Sequence, residues 1–361
     1  MSGSVGTNSG RRSGSVGAAA SGPTVSSSDP AIDTNPSGGV GTQWANSSTG
    51  DFYVCTDATT DGNVWTNVDN AQDSIQPWAF QGTNYGYAFG GTYPTTQNIQ
   101  QFAFASDGNA TDFGDSFAHK RNYSSASSAT HGYQLGGKVP PWADSDTIYK
   151  FAFATGGTMA DIANLTTSVS RSSGHSSTDY GWSGGGGGNV IDRFATTSDA
   201  NATDWHDLTG SKHPSGGSSS ADHGYVSGGA VNVIERFSFS SQIASADVGD
   251  LAVVVNQSCG NSSTTHGYTC GNGESGASNQ IQKYAYSSSG NASDIGNLLG
   301  THWGSGGQSS TTFGYITAGS PNNGGASVDI IQKQSFSSDG DSTDVGNLVD
   351  ANNYTGGGCQ Y

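Results

Sequence analysis

The stretch His223-Gly224-Tyr225-Val226-Ser227-Gly228-Gly229 decides the fold, because the chain repeats its pattern. A ring-bearing residue, a glycine and a second ring-bearing residue recur, and a pair of small residues usually follows. The six copies begin at positions 85, 131, 180, 223, 266 and 313, which are spaced by 46, 49, 43, 43 and 47 residues. Side chains two residues apart lie on one face of a β-strand. Short strands repeated at this spacing predict the blades of a β-propeller.

The complete repeat contains four predicted strands and is clearest around His131. Small polar residues at 123–128 form the first strand, and His131-Gly132-Tyr133 begins the second. Residues 147–153 alternate with the period of two that is typical of a strand. A turn then leads to a short fourth strand near residues 161–165. Each repeat is therefore predicted to form one four-stranded sheet.

Two features of the repeat resemble those of known propellers. The glycine pair, the aromatic third strand and the apolar residue ahead of a leucine resemble the kelch repeat over residues 41–361, although several copies depart from it. The turn Ser-Asp-Ala-Asn-Ala-Thr-Asp-Trp at 198–205 resembles the Asp box of sialidases, with related copies at 106–112 and 338–344. Both resemblances imply a kelch-like β-propeller, and neither implies a reaction.

The number of repeats predicts how the propeller closes. Six complete sets of second, third and fourth strands are present, and residues 353–361 supply one more first strand. Residues 42–68 supply three strands without a first strand before them. We therefore predict an all-β, seven-bladed propeller at 40–361, in which residues 352–361 complete a first blade formed by 40–73. Such closure leaves no free strand edge. The alternative is six blades with a separate N-terminal module.

The composition limits the partners of the chain. A formal net charge of −17 at pH 7 argues against nucleic acid and anionic membranes as partners. No apolar run approaches the length of a membrane span, so membrane insertion is not expected. Four cysteines are too few for a disulfide framework in 361 residues. We expect buried free thiols, with a bridge between Cys259 and Cys270 as the alternative.

The N-terminal residues 1–39 are rich in glycine and serine. They are predicted to form a flexible anchoring arm that becomes ordered against a partner, and the alternative is a plain unstructured tail. Residues 44–57 read Trp-x-Asn-x-x-Thr-Gly-x-x-Tyr-Val-Cys-Thr-Asp, which resembles a module of tail and fibre proteins of bacteriophages, marine ones especially. The resemblance implies a structural virion component, made in the host cytoplasm. Its arm would bind other virion proteins on a tail or head surface.

The loops between second and third strands share one face with the loops that join consecutive blades, because strands in a blade alternate in direction. Varied aromatic and hydrogen-bonding residues collect there, as host-surface glycan binding requires, although solvated connectors are the simpler alternative. The predicted ligand-binding residues are Tyr93, Trp142, His213 and Trp303. Aromatic side chains of this kind suit a protein–protein contact equally well.

No cofactor is predicted, although the aspartate turns on the opposite face could hold calcium instead of serving as ordinary turns. His131, His223 and His266 occupy equivalent positions where other repeats have Tyr or Phe, so we interpret them as packing residues and not metal ligands. No catalytic residue is predicted. The alternatives to a non-enzymatic binding protein are a polysaccharide-degrading propeller, either a sialidase-like glycosidase or a lyase, and an adaptor for another virion protein.

Overall fold

The computed structural model describes residues 22–60, 62–68, 74–75, 79–91, 97–214, 216–273, 278–320, 326–352 and 357–361. The chain divides into two compact units, Met1–Trp78 and Ala79–Tyr361. The regular elements of the described residues are all β-strands, which confirms the predicted all-β class. No helix long and apolar enough to cross a membrane occurs in these ranges.

The N-terminal unit contains a four-stranded sheet. Its strands, in spatial order, are β1 (Thr24–Ser26), β2 (Gln43–Asn46), β3 (Phe52–Asp57) and β4 (Val64–Asn67). Strand β1 runs parallel to β2, whereas the other pairs are antiparallel. The core of this sheet is formed by Tyr53, Cys55 and Trp65, with Trp44 packed against it.

Residues 24–35 differ from the predicted flexible arm, because the N-terminal sheet binds them. In addition to the β1–β2 pairing, Trp44 Nε1 donates to the carbonyl of Ser28 at 2.9 Å, and Asn63 Nδ2 donates to that of Ile32 at 2.7 Å. The predicted arm boundary at residue 39 is therefore wrong for this segment. Residues 1–21 of the arm lie outside the described residues.

The second unit contains the remaining strands. In chain order they are β5 (Tyr85–Phe89), β6 (Asn98–Ala103), β7 (Thr111–Asp115), β8 (Ser124–Ser127), β9 (His131–Leu135), β10 (Lys138–Val139), β11 (Ala143–Ala152), β12 (Gly156–Val169), β13 (Ser172–Ser176), β14 (Tyr180–Gly185), β15 (Val190–Ala195), β16 (Thr203–Asp207), β17 (Gly216–Ser219), β18 (His223–Ser227), β19 (Val231–Ser238), β20 (Ala246–Val255), β21 (Cys259–Ser262), β22 (His266–Asn272), β23 (Ser278–Ala285), β24 (Ser293–Asn297), β25 (Gly306–Ser309), β26 (Phe313–Thr317), β27 (Val328–Ser335), β28 (Thr343–Asn352) and β29 (Cys359–Gln360).

These strands form six sheets within the described residues, each with the predicted order of first, second, third and fourth strand. Sheet I contains β29, β5, β6 and β7. Sheet II contains β8, β9, β11 and β12, with β10 added beside β11. Sheets III to VI take four consecutive strands each, from β13 to β28. The sheets resemble propeller blades in strand order and in antiparallel pairing.

The glycine between the two rings of each second strand makes room for the third strand. A Cβ at Gly224 would overlap the ring of Phe237, and one at Gly181 would overlap the ring of Phe194. The flanking residue Tyr225 is buried in the core. The repeated core therefore seats an aromatic side chain of the third strand directly on the second-strand backbone.

The C-terminal strand completes sheet I and not the N-terminal sheet. Cys359 lies opposite Tyr87, and Gln360 lies opposite Gly86. Both neighbours of β2 are already taken, by β1 and β3. The predicted pairing of residues 352–361 with a blade at 40–73 is therefore wrong. The observed pairing agrees with the alternative of a separate N-terminal module.

One type of hydrogen bond recurs between all neighbouring first strands. In every sheet a backbone N–H of the first strand donates to a side chain at the same position in another sheet. The bonds run from Ser127 to Ser176 (2.9 Å), Ser176 to Ser219 (3.3 Å), Ser219 to Ser262 (2.9 Å), Ser262 to Ser309 (2.9 Å), Ser309 to Gln360 (3.4 Å) and Gln360 to Ser127 (3.2 Å). The series thus returns to its starting residue.

The first strands approach so closely that they exclude side chains. A Cβ at Gly260 would overlap the carbonyl oxygen of Gly217, and one at Gly307 would overlap that of Gly260. A Cβ at Gly174 would likewise overlap the carbonyl oxygen of Ser125. This is a steric requirement for glycine, which has no Cβ.

The fourth strands alternate in length from sheet to sheet. In sheets I, III and V, strands β7, β16 and β24 have 5 residues each. In sheets II, IV and VI, strands β12, β20 and β28 have 14, 10 and 10 residues. The unit that repeats most closely is therefore a pair of sheets.

The close approach of the first strands predicts that Gly260→Ala is strongly destabilising. The new methyl group would have to displace the backbone of Gly217, because the overlapping atom is not a flexible side chain. We expect a loss of about 1–3 kcal/mol in the free energy of unfolding, measured by chemical denaturation. Gly210→Ala is the matched control, since a Cβ there meets nothing within 4 Å. Equal stability of the two variants would contradict the steric argument.

Candidate functional site

The four predicted ligand-binding residues have different environments. Tyr93 lies outside the described residues. Trp142 is half-buried at the tip of the β10–β11 hairpin, and His213 is exposed in the loop between β16 and β17. Trp303 is only 5% exposed, in the loop between β24 and β25. Trp303 also exchanges two backbone hydrogen bonds with Ser320, at 3.1 and 3.2 Å, so it belongs to the packed part of its loop and offers little surface for stacking.

Trp142 is held in place by charged neighbours. The guanidinium carbon of Arg121 lies 4.1 Å from the centroid of the indole ring, a cation–π contact. The backbones of Arg121 and Lys138 exchange hydrogen bonds of 3.2 and 2.8 Å, which ties the hairpin to the loop after sheet I. Trp142 itself has a φ of 89°, a strained value for a residue other than glycine. The hairpin tip is therefore ordered by specific contacts.

Hydrogen bonds connect the loops that follow sheets I, II and III. The backbone N–H of Arg171 donates to the carbonyl of Asn122 at 2.7 Å. His213 Nδ1 lies 3.4 Å from the carbonyl oxygen of Ser170. We call the resulting region the Trp142 surface and define it by Arg121, Lys138, Trp142, Asp144, Arg171 and His213. Trp142 and His213, which the sequence predicted separately, thus belong to one region.

The carboxylate of the Trp142 surface is already engaged. Lys138 Nζ lies 2.6 Å from Asp144 Oδ1. Burial acts to raise the pKa of Asp144, but hydrogen bonds from Lys138 and Ser170 and the charges of Lys138 and His213 lower it further, so the net shift is downward. Asp144 is therefore an anion that neutralises Lys138, and it leaves Arg171 without a carboxylate partner among the described residues.

A small cavity lies among the first strands but cannot hold a sugar. Its volume is about 30 Å³, on the order of the space taken by one water molecule. The residues that line it include Phe80, Ser125, Gly174, Gly217 and Gly260. This cavity is therefore too small for a sugar ring.

The aspartate turns serve as contacts between sheets. Asp199 binds Lys150 at 2.5 Å, and two equivalent pairs, Lys283–Asp339 and Lys333–Asp107, are 2.6 Å long. Two residues later in the turn, Asn201 Oδ1 accepts from the backbone N–H of Asn164 at 3.0 Å. Among the described residues no group of three or more His, Cys, Asp or Glu could hold a metal ion. The partners of these aspartates are thus protein groups, as in an ordinary structural turn.

Two of the three equivalent histidines have a local partner for the imidazole ring. Nδ1 of His131 lies 2.8 Å from Thr130 Oγ1, and Nδ1 of His266 lies 2.8 Å from Thr265 Oγ1. Burial lowers the pKa of His131, His223 and His266, with a smaller contribution from a nearby cation in each case. All four cysteines are buried free thiols, although Cys259 and Cys270 lie directly opposite each other on β21 and β22.

Glu235 is buried and committed to structure. It is 0% exposed, forms an ion pair with Lys212, and accepts hydrogen bonds of 2.6 Å from Thr209 Oγ1 and Ser245 Oγ. Burial acts to raise its pKa, but Lys212, Ser245 and Thr209 lower it overall. The other glutamate, Glu274, lies outside the described residues. The polysaccharide-degrading alternative therefore has no exposed glutamate in the described part of the chain.

Lys120 is a buried cation that the sequence did not single out. It is 0% exposed, and Nζ donates to the carbonyl of Gly136 at 3.0 Å and to Thr147 Oγ1. Nζ also lies 4.1 Å from the centroid of the Tyr149 ring. Burial lowers the pKa of Lys120 to about 7. Lys212 and His302 also stand four residues before a first strand. This shared spacing is the feature of the sequence that could have indicated a common structural role for the three residues.

Stability should depend on pH through Lys120. The unfolded lysine has its ordinary pKa of 10.5, whereas the folded value is about 7. Between these values the unfolded chain binds more protons, so stability rises with pH and is lost as pH falls towards 7. We expect the wild type to gain about 1 kcal/mol per pH unit relative to Lys120→Met over this range, measured by chemical denaturation. Lys150→Met is the control. Parallel pH profiles of the wild type and Lys120→Met would contradict the shift.

Comparisons with known proteins do not assign this chain to a family. No protein-family model matches it. No curated protein matches it significantly either. A function must therefore be argued from the residues of the chain and their arrangement.

Proposed function

We propose that the six sheets of residues 79–361 form a closed six-bladed propeller, kelch-like in its repeat, with the N-terminal unit as a separate module. The series of first-strand hydrogen bonds that returns from Gln360 to Ser127 supports closure. Contacts between sheets VI and I also support it. Lys333 of sheet VI binds Asp107 of sheet I at 2.6 Å, and the N–H of Asn347 donates to Asn109 Oδ1 at 3.0 Å. Equivalent contacts join sheets V and VI.

We further propose that the protein is a non-enzymatic binding protein of a bacteriophage virion, which presents the Trp142 surface to a glycan of the host. The observation that carries this proposal is the half-buried indole of Trp142, fixed against Arg121 and placed in one region with the exposed His213. An aromatic face beside hydrogen-bond donors suits a sugar, which presents an apolar face and hydroxyl groups.

The rigidity of the loops favours binding. The backbone hydrogen bonds Arg121–Lys138 and Arg171–Asn122 hold the surface before a ligand arrives. A preorganised surface loses less conformational entropy on binding than a flexible one. The paired first strands beneath it supply a stable base. The arrangement therefore suits binding of a ligand to a preformed surface better than binding that requires a lid to close.

The N-terminal unit is our proposed anchor to other virion proteins. Its resemblance to phage tail and fibre modules at residues 44–57 supports the virion as the location. The unit exposes three valines, Val25 (68% exposed), Val40 (65%) and Val68 (52%). Exposed apolar residues and the open edge of β1 suit a protein contact. Residues 1–21 remain the predicted arm in this proposal.

Trp142→Ala should abolish glycan binding and leave the fold intact, because the side chain is half-buried at a hairpin tip. Binding would be measured on host cells and on a glycan array, with thermal stability measured in parallel. Tyr85→Ala is the matched control, since Tyr85 is an exposed ring (38%) at the start of β5, away from this surface. Unchanged binding by Trp142→Ala with unchanged stability would contradict the proposed site. Release of sugar fragments from the bound glycan would contradict the non-enzymatic assignment.

Deletion of residues 357–361 should destabilise the propeller. The deletion removes β29, exposes the edge of β5 and breaks the hydrogen bonds that Gln360 makes to Ser127 and Ser309. We expect a lower thermal midpoint and aggregation in size-exclusion chromatography. Gln360→Ala should show a smaller effect in the same direction. A truncated protein as stable and monodisperse as the full chain would contradict closure through this strand.

A further inference from the structure

Positive charge is unevenly neutralised over the described residues. Four lysines of the repeats form ion pairs with carboxylates: Lys150 with Asp199, Lys212 with Glu235, Lys283 with Asp339, and Lys333 with Asp107. Lys138 is paired with Asp144. Arg171 forms no ion pair with any carboxylate in these ranges. Arg193 and Arg236 also lack an ion pair in these ranges, but they lie within strands β15 and β19, whereas Arg171 stands in a partly exposed loop.

Arg171 has one buried polar atom without a hydrogen-bond partner among the described residues, and its backbone is fixed in position. This atom is Nε. Its backbone has a φ of 56°, and its N–H is fixed to the carbonyl of Asn122. The backbone of Arg171 is therefore fixed in position, and a ligand would reach its partly exposed side chain and not the enclosed Nε.

The neighbours of Arg171 connect it to His213 and to Arg121. The preceding residue, Ser170, contacts the exposed His213 through its carbonyl oxygen. On the other side, Asn122 follows Arg121, whose guanidinium stacks on Trp142. Arg121, Arg171 and His213 therefore follow one another across the loops after sheets I, II and III. The planar guanidinium of arginine matches a carboxylate in a bidentate geometry.

We propose that the ligand of the Trp142 surface is an acidic sugar, whose carboxylate binds Arg171 while its ring packs on Trp142. This inference rests on the proposed glycan-binding function and adds its chemical class. A carboxylate would pair the otherwise unpaired guanidinium of Arg171.

The test measures binding of the full chain to three soluble polymers by isothermal titration calorimetry: alginate, which carries carboxylates, dextran, which is neutral, and dextran sulfate. The wild type should bind alginate, and binding should weaken at least tenfold as salt is raised from low to high ionic strength. Arg171→Gln should lose alginate binding at least tenfold. Lys283→Gln, which makes the same charge change at an aspartate turn, should bind as the wild type does.

The outcomes separate this inference from the proposed function. If Trp142→Ala abolishes binding to alginate but Arg171→Gln does not, the glycan site stands and the carboxylate assignment is overturned. Preference for dextran over alginate overturns it too. Equal binding of dextran sulfate and alginate would indicate recognition of any polyanion and would also overturn it. Absence of binding to host cells, to the glycan array and to all three polymers would overturn both proposals.

Discussion

Six first strands can approach one another only where side chains are absent, and the rest of the propeller-like unit depends on that approach. Gly217, Gly260 and Gly307 each lie against the backbone of a neighbouring sheet, with no room for a Cβ. The adjacent serines then come within hydrogen-bond distance of the next backbone N–H. A strong steric requirement and a set of individually modest hydrogen bonds thus act at the same place. The second, third and fourth strands of each sheet extend outward from these contacts.

The acidity of the chain is largely used within this scaffold. Asp107, Asp199 and Asp339 each reach a lysine of a neighbouring sheet, while buried acceptors such as Asp192 and Glu235 receive backbone N–H groups from the preceding sheet. The aspartates of the turns, which the sequence analysis interpreted as ordinary turn residues or calcium ligands, therefore join one sheet to the next. In the loops after sheet II, Arg171 has no carboxylate partner among the described residues.

The sequence predicted the strands well because their signals are local. The alternation in residues such as His223, Gly224 and Tyr225 is enough to define a second strand. It could not identify the partner of the C-terminal strand, because Cys359 and Gln360 have the character of any first strand and pairing depends on the rest of the chain. It also could not separate Trp142 from Trp303. Both stand in loops of one face, but their burial depends on how other loops pack around them. The burial of Lys120 could not be predicted either, because it also depends on how other segments pack around the residue.

The alternation of short and long fourth strands has an evolutionary consequence. If the chain had grown by copying one sheet at a time, odd-numbered and even-numbered sheets would show no systematic difference in the length of the fourth strand. Here the loops after the odd sheets share a further trait, since the buried residues Lys120, Lys212 and His302 stand at one position in the loops that follow sheets I, III and V. Inter-sheet bonds from His175 to Ser218 and from Asn261 to Gln308 follow the same parity. This pattern is the one expected if a gene segment encoding two sheets was triplicated in tandem.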